Sequence, residues 1–217
     1  MKDVRIRLLY PSSVRPEEVR AAMRGMDRFR DFGALHDCAE LGRGDRAALR
    51  GVRNGSSIKS ILASPAPVVR YADLLGDISE LFVSKEILAL GLTPSPMSEF
   101  VGEEFSTRLE RRVGVSRECV GAVVSLSQAR AMEGGMQAAP YRNLSDPGLA
   151  LRSVELAVRH ELGHVFGKRH CRNEGCLMQE NRDFPDFIER FVRKNLDFCR
   201  DCSAAIGSFI CRWTSAY

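Results

Sequence analysis

The chain has 217 residues, of which 44% are hydrophobic and 28% charged, and its net charge is +4 at pH 7. This composition is that of a folded globular protein and excludes a predominantly disordered chain. No window approaches the roughly 18 apolar residues of a membrane span, and the N-terminal MKDVRIRLLY lacks the apolar core of a signal peptide. We therefore expect a cytoplasmic protein without a membrane partner. The arginines are spread along the chain rather than gathered in a patch, which argues against nucleic-acid binding.

The first part of the chain alternates strand patterns with helix patterns. Val4, Ile6 and Leu8 alternate with charged residues and predict a half-buried strand. A helix is predicted from Pro16 to about Phe32. The remaining predicted strands are Ala34–Leu41, Ser57–Ala63, Glu86–Thr93 and Gly121–Leu126; helices are predicted at residues 74–82 and 103–112, and irregular chain at residues 93–97, where two prolines fix φ.

A longer helix carries the first candidate site. Asp146 before Pro147 is typical of a helix start, and Gly167 can take the left-handed conformation that ends one. His160 and His164 are one turn apart on the same face, so their imidazoles can share one zinc ion. Glu161 follows His160 and is placed to deprotonate a water molecule rather than to bind the metal. The alternative is two unrelated surface histidines.

A third histidine extends this motif. His170 follows Gly167 by three residues and completes HELGHVFGKRH, which holds three of the four histidines of the chain. Three protein ligands leave the fourth position of a zinc ion for water, the arrangement of catalytic rather than structural sites. The sequence therefore predicts a catalytic zinc site. His36 is alone in a strand-like segment and is interpreted as structural.

Four cysteines follow at paired spacings. Cys171 and Cys176 form C-x4-C, and Cys199 and Cys202 form C-x2-C. In a reducing compartment this pattern predicts a closed structural zinc site; the alternative is a set of reduced core cysteines. If the chain is extended at His170 and Cys171, their side chains point to opposite sides and can serve two different ions. We interpret Cys38, Cys119 and Cys211, which lack paired spacing, as small buried residues.

HELGHVFGKRHCRNEGCLM followed by CRDC resembles the archaemetzincins, a branch of the metzincin zinc peptidases. The resemblance is strongest from Arg152 to Cys202 and extends more weakly to ALGLT at residues 89–93 and GAVVSLSQAR at residues 121–130. It implies a catalytic zinc on His160, His164 and His170, with Glu161 as general base. It also implies a second, structural zinc on Cys171, Cys176, Cys199 and Cys202. Met178 would belong to a turn that forms an apolar floor beneath the metal site.

The resemblance also implies the architecture. We expect an α/β fold with a metzincin-like three-layer arrangement: a twisted mixed sheet, an active-site helix and a C-terminal helical subregion that binds zinc. Residues 1–217 would form a single catalytic domain. Residues 1–145 would be its mainly α/β upper subregion, and residues 146–217 would hold the active-site helix, the structural zinc site and the C-terminal helices. The strand at Val123–Leu126 would be the sheet edge that pairs with an extended substrate.

The favoured function is that of a zinc-dependent metallopeptidase, in which zinc activates water and Glu161 acts as general base. We expect a monomer that binds two zinc ions and acts on peptide or protein substrates. The first alternative is a non-catalytic zinc protein of the same fold that binds peptides or a partner, suggested by the departure of residues 94–105 from the pattern usual in the family. A second alternative, a nucleic-acid-binding zinc module, is disfavoured because basic and aromatic residues are not clustered.

Overall fold

The computed structural model describes residues 4–10, 12–40, 69–70, 87–93, 97–98, 111–112, 114–117, 121–133, 146–181 and 184–216. The strands are β1 (Val4–Tyr10), β2 (Ala34–Glu40), β3 (Val69–Arg70), β4 (Ile87–Thr93), β5 (Met97–Ser98), β6 (Arg111–Arg112), β7 (Gly114–Arg117) and β8 (Gly121–Ser125). The α-helices are α1 (Pro16–Asp27), α2 (Ser127–Glu133), α3 (Pro147–Val165), α4 (Phe184–Phe187) and α5 (Arg200–Ala216). A 3₁₀ turn spans Arg30–Phe32, and α4 continues as a π-helical segment at Ile188–Val192.

Among the described residues, five strands form the main sheet in the order β2-β1-β4-β8-β7. The first four run parallel to one another, and β7 is antiparallel to β8, so the predicted mixed sheet is confirmed. The inner strands β4 and β8 are apolar without alternation, because a parallel sheet covered on both faces buries every side chain. All five residues of β8 are buried. A smaller sheet joins β3, β5 and β6.

The prediction that Val123–Leu126 is the sheet edge is wrong. This segment belongs to β8 up to Ser125, and β8 lies between β4 and β7. Within the described residues, β7 is the outer strand on this side of the sheet. Its sequence, GVSR, is short and does not alternate, so the pattern did not identify it as a strand. An antiparallel neighbour needs only a short connection, here residues 118–120.

Other predicted bounds also change. The first helix ends at Asp27, and the 3₁₀ turn follows before Gly33 takes a positive φ of 89°. Residues 93 and 97 are not irregular: Thr93 ends β4 and Met97 begins β5. Residues 94–96, which include both prolines of this segment, lie outside the described residues.

The predicted helix at 103–112 is wrong at its end, where Arg111–Arg112 form β6. Pairing with β5 overrides the favourable helix propensity of the two arginines, because propensity is only a weak guide where tertiary contacts compete. The strand predicted at 57–63 and the helix predicted at 74–82 lie outside the described residues, as do residues 103–110.

Helix α3 lies at the centre of the fold. It packs against α1 and against β7 and β8, and the π-helical segment contacts it as well. Its apolar residues join one core with those of the sheet, among them Ile6, Leu90 and Val124. In the described part of the chain, no helix has the length and apolar character that crossing a bilayer requires. The core therefore holds α3 rigidly, and α3 carries the residues of interest to function.

Candidate functional site

The N-terminus of α3 is capped as predicted. The Oδ1 of Asp146 accepts a hydrogen bond from the backbone N–H of Gly148 at 2.8 Å, and Pro147 occupies the first turn. Fourteen residues later the helix presents His160 and Glu161, which are only 5% and 8% exposed. Two imidazole nitrogens on successive turns, the Nε2 atoms of His160 and His164, lie 3.1 Å apart. Both atoms therefore face the same point in space.

The C-terminus of α3 turns the chain back toward these histidines. Gly167 has a φ of 74°, the left-handed conformation that side chains with a Cβ avoid. The N–H of Gly167 donates to the carbonyl of His164 at 2.9 Å, and the N–H of Lys168 donates to the carbonyl of Gly163 at 3.0 Å. This pair of bonds is a Schellman motif. It ends the helix at the residue where the sequence predicted an end.

The turn returns His170 to the other two histidines. Its ring centroid lies 5.5 Å from that of His160 and 4.8 Å from that of His164. One ring nitrogen from each of the three residues lies within 4.8 Å of the others. Two nitrogens bound tetrahedrally to zinc at about 2.0–2.1 Å lie roughly 3.4 Å apart, close to the observed 3.1 Å. The three histidines therefore fit a zinc ion.

Backbone carbonyls fix the rotation of two of the rings. The Nδ1 of His160 lies 2.8 Å from the carbonyl oxygen of Leu177, and the Nδ1 of His164 lies 2.6 Å from that of Lys168. Since a carbonyl can only accept, each Nδ1 donates its N–H and each Nε2 keeps a free lone pair. This is the arrangement that orients histidine ligands in metal sites.

Burial keeps the first two histidines neutral. It lowers the pKa of His160 to about 4, and it lowers the pKa of His164 to about 4 despite the opposing charge of Glu161. Neutral imidazoles are the form that binds metals. Glu161 directly follows His160 on α3, and its side chain is 8% exposed. Glu161 thus lies beside the histidine cluster on the helix that carries it.

Met178 packs directly beneath this helix. It is fully buried, and a Cβ added to Gly163 would lie 2.5 Å from its Sδ atom. Only a glycine allows this approach, which accounts for the glycine inside HELGH. The backbone carbonyl of Met178 accepts from the N–H of Cys171 at 2.8 Å, so the turn at Met178 is joined to the segment that carries the third histidine.

Cys171, Cys176, Cys199 and Cys202 form the second cluster. Their Sγ atoms lie within 4.8 Å of one another, with 3.9 Å between Cys171 and Cys199 and 3.6 Å between Cys176 and Cys202. Disulfide bonds, at about 2.05 Å, are excluded at these separations. Sulfurs bound tetrahedrally to zinc at about 2.3 Å lie roughly 3.8 Å apart. The four cysteines therefore fit a zinc ion.

Backbone N–H groups point at these sulfurs. The N–H groups of Met178 and Cys199 donate to the Sγ of Cys176 at 3.4 and 3.3 Å. Burial raises the pKa of Cys176 and of Cys202, whereas at Cys199 hydrogen bonds, led by that of the Cys202 backbone, outweigh burial and lower the pKa. Four thiolates at this spacing need a positive charge among them, which a divalent cation supplies.

The structure thus divides the neighbouring residues His170 and Cys171 between the two clusters, as the extended-chain argument expects. Within the described residues these two groups are the only His, Cys, Asp and Glu clusters arranged for a metal ion. His36 belongs to neither, and its Nε2 lies 2.9 Å from the carboxylate of Asp27.

Two predictions about single cysteines are wrong. Cys38 and Cys211 are exposed rather than buried, because they lie on the solvent-facing sides of β2 and α5. Cys119 lies outside the described residues. Sequence reasoning also missed the carbonyls of Leu177 and Lys168, since a backbone acceptor leaves no trace in side-chain identity. The glycine at 167 was a usable signal, because a Schellman motif ending at Gly167 places the Lys168 backbone next to the last turn of α3.

Comparison with known proteins addresses the same region. Residues 112–208 match the family model described as peptidase family M54. The chain is 33% identical over 66 residues to an archaemetzincin of Saccharolobus solfataricus and 40% identical over 58 residues to one of Methanopyrus kandleri. The predicted resemblance to the archaemetzincins is confirmed. These alignments cover 30% and 27% of this chain and only 34% and 31% of the two archaemetzincins, about a third of their length.

Solved structures extend the likeness to the whole fold. The crystal structure of archaemetzincin from Methanopyrus kandleri superposes with a TM-score of 0.57 at 20% identity, covering 98% of this chain and 96% of that one. A zinc-dependent peptidase from Methanocorpusculum labreanum gives a TM-score of 0.55 at 18% identity, covering 93% and 99%. The predicted metzincin-like α/β fold is confirmed by these matches. At this level of identity they establish the archaemetzincin fold and not its activity.

Proposed function

We propose that this chain is a zinc-dependent metallopeptidase that binds one zinc ion on His160, His164 and His170 and a second on Cys171, Cys176, Cys199 and Cys202. The observation that carries the proposal is the histidine cluster. Its two helical members have Nε2 atoms 3.1 Å apart and Nδ1 atoms committed to carbonyls, and a buried carboxylate follows the first of them. Three histidines with a nearby glutamate are typical of hydrolytic rather than structural zinc sites.

Zinc and Glu161 would have separate roles in hydrolysis. When bound, zinc supplies Lewis acidity that polarises a peptide carbonyl and lowers the pKa of a water ligand towards about 7. Glu161 accepts a proton from the attacking water and delivers it to the leaving amine, the role of a general acid–base group. Its position on α3, held by the core, keeps it in fixed register with His160 and His164. The substrates would be peptides or proteins.

The cysteine zinc would have no open position and a structural role. Four thiolates complete its tetrahedral coordination, so no ligand can exchange with substrate. The site joins Cys171, directly after His170, to Cys199 and Cys202 at the start of α5. It therefore fixes the segment that presents the third histidine.

A Glu161→Gln variant tests the proposal. It removes the proton acceptor while keeping the size of the side chain, so we expect two zinc ions per chain and at least a hundredfold loss of peptide hydrolysis. The measurement is cleavage of an unbiased peptide library by wild type and variant, with metal content determined on the same samples. Equal cleavage by both would contradict the role of Glu161. A zinc-loaded wild type that cleaves nothing would indicate the alternative, a non-catalytic zinc protein of the same fold.

A further inference from the structure

Leu177 connects the two candidate metal sites through its backbone. It lies directly after Cys176, and its side chain is fully buried. Its carbonyl accepts from the Nδ1 of His160 at 2.8 Å, and its N–H donates to the backbone carbonyl of Asp197 at 3.0 Å. The orientation of the His160 ring therefore depends on the position of Leu177, and that position depends in turn on Asp197.

The side chain of Asp197 is held on several sides. Its Oδ2 accepts from the Nε of Arg28, on the residue that follows α1, at 2.9 Å. Its Oδ1 accepts from the N–H of Phe198 at 2.8 Å and lies 3.9 Å from a guanidinium nitrogen of Arg159, on α3. Arg28 and Arg159 are largely buried, with side chains 23% and 14% exposed. One carboxylate thus joins the end of α1, α3 and the segment before α5.

We propose that Asp197 is a positioning residue for His160. Arg28 and Arg159 hold the carboxylate of Asp197 and thereby fix the position of its backbone carbonyl. That carbonyl accepts from the N–H of Leu177, and the carbonyl of Leu177 in turn orients the Nδ1 of His160. The proposal rests on the proposed role of His160 as a metal ligand. It assigns to a residue outside both clusters a role in metal affinity that its spacing in the sequence does not indicate.

The expected loss of metal affinity depends on how many groups lie between Asp197 and His160. Removing a group that orients a metal ligand directly weakens metal binding by about 10- to 100-fold. Asp197 acts through one further peptide, and its backbone carbonyl survives any substitution. We therefore expect an effect near the lower end of that range, about tenfold.

The experiment measures Co²⁺ affinity at the histidine site. Full-length protein with one zinc at the cysteine site and no metal at the histidines is titrated with Co²⁺, whose visible absorption reports on the ligand geometry. We expect the dissociation constant to rise about tenfold in Asp197→Ala and less in Asp197→Asn, which keeps an oxygen acceptor for the N–H of Phe198. The absorption spectrum of bound Co²⁺ should also change in Asp197→Ala, because a mobile His160 distorts the coordination.

A matched control comes from the same arginine. Asp31 also pairs with Arg28, at 2.6 Å, but its only route to Leu177 in the described residues runs through Arg28 and Asp197, whose own contacts stay intact. Asp31→Asn should bind Co²⁺ as wild type does. Unchanged affinity and spectrum in both Asp197 variants, with the cysteine zinc retained, would overturn the proposal. If Asp197→Ala loses the cysteine zinc, the Co²⁺ affinity and spectrum of Asp197→Asn test the proposal instead. If both variants lose that zinc, Asp197 acts on the cysteine cluster and the proposal is wrong.

The readout separates this inference from the proposed function. Co²⁺ binding requires no peptide hydrolysis, so an inactive wild type would refute the peptidase assignment and leave the result on Asp197 intact. A wild type that binds no Co²⁺ at the histidines would refute the metallopeptidase proposal itself. If the wild type hydrolyses peptides but Asp197→Ala binds Co²⁺ as tightly as the wild type, only the positioning role of Asp197 is refuted.

Discussion

The backbone of Gly163 lies so close to the side chain of Met178 that a Cβ at position 163 would be 2.5 Å from the Sδ and 3.0 Å from the Cε of Met178. Gly163 lies between the two helical histidines, and Met178 lies two residues after Cys176 of the cysteine cluster. The contact therefore ties the helix that carries one cluster to the turn that carries part of the other.

The first prediction concerns this contact. An alanine inside a helix normally stabilises it by up to about 1 kcal/mol relative to glycine. At Gly163 we expect the opposite sign, because overpacking a fully buried contact costs about 1–3 kcal/mol. Gly163→Ala should therefore lower the free energy of unfolding, measured by urea denaturation, and weaken metal binding at the histidines.

Gly175 provides a control for this variant. It lies in the same part of the chain, and a Cβ there would meet only the Asn173 side chain at 3.5 Å, an ordinary contact. Gly175→Ala should leave stability within about 0.5 kcal/mol of wild type. A Gly163→Ala protein as stable as wild type would show that Met178 moves aside without cost.

The second prediction concerns Gly167. Its φ of 74° costs a residue with a Cβ about 1–2 kcal/mol, and asparagine tolerates it better than alanine. We expect Gly167→Ala to lose metal at the histidine site, because His170 depends on this turn, while Gly167→Asn retains most of it. Metal content and urea denaturation of the two variants measure this. Equal loss in both would show that the turn matters for a reason other than its conformation.

The third prediction concerns metal content. Protein purified without chelators should carry two zinc ions per chain, His164→Ala should carry one, and Cys199→Ser should lose the zinc of the cysteine cluster. Elemental analysis of untagged protein gives these numbers. A wild type with a single zinc that disappears only in Cys199→Ser would mean that the histidine cluster binds zinc weakly, and the non-catalytic alternative would gain weight.

The fourth prediction concerns pH and Glu18, which is buried in α1. Burial alone would raise the pKa of Glu18, but hydrogen bonds from Arg130 at 2.7 and 2.6 Å and from Arg15 at 2.8 Å outweigh it and lower the pKa. A depressed pKa contributes stability above the ordinary carboxyl pKa of about 4.3, and this contribution is lost as the pH falls through the lower folded value.

Glu18→Gln should therefore destabilise the protein at pH 7 by about 2 kcal/mol, less than the 3–5 kcal/mol typical of a broken buried pair because both arginines are partly exposed. The difference from wild type should shrink as the pH falls below 4. Urea denaturation of metal-free protein at pH 7 and at a pH below 4 checks this. A difference independent of pH would show that packing rather than charge stabilises this position.

Spacing predicted what depends on local geometry. The cap at Asp146, the end at Gly167 and the return of His170 follow from helix period and backbone conformation, and the structure has all three. The cysteine pairs came from spacing in the same way. What spacing could not predict depends on contacts between distant segments: the pairing of β7 with β8, the carbonyl of Leu177 against His160, and the exposure of Cys38 and Cys211.

The adjacency of His170 and Cys171 limits how this segment can change in length. The two side chains belong to different clusters although only one peptide bond separates them. An insertion or deletion of one residue just before His170 would exchange the sides on which the pair emerge, presenting a sulfur to the histidines and an imidazole to the sulfurs. Indels in this segment should therefore be tolerated only in compensating pairs during the evolution of the protein, while substitutions at neighbouring surface positions remain permitted.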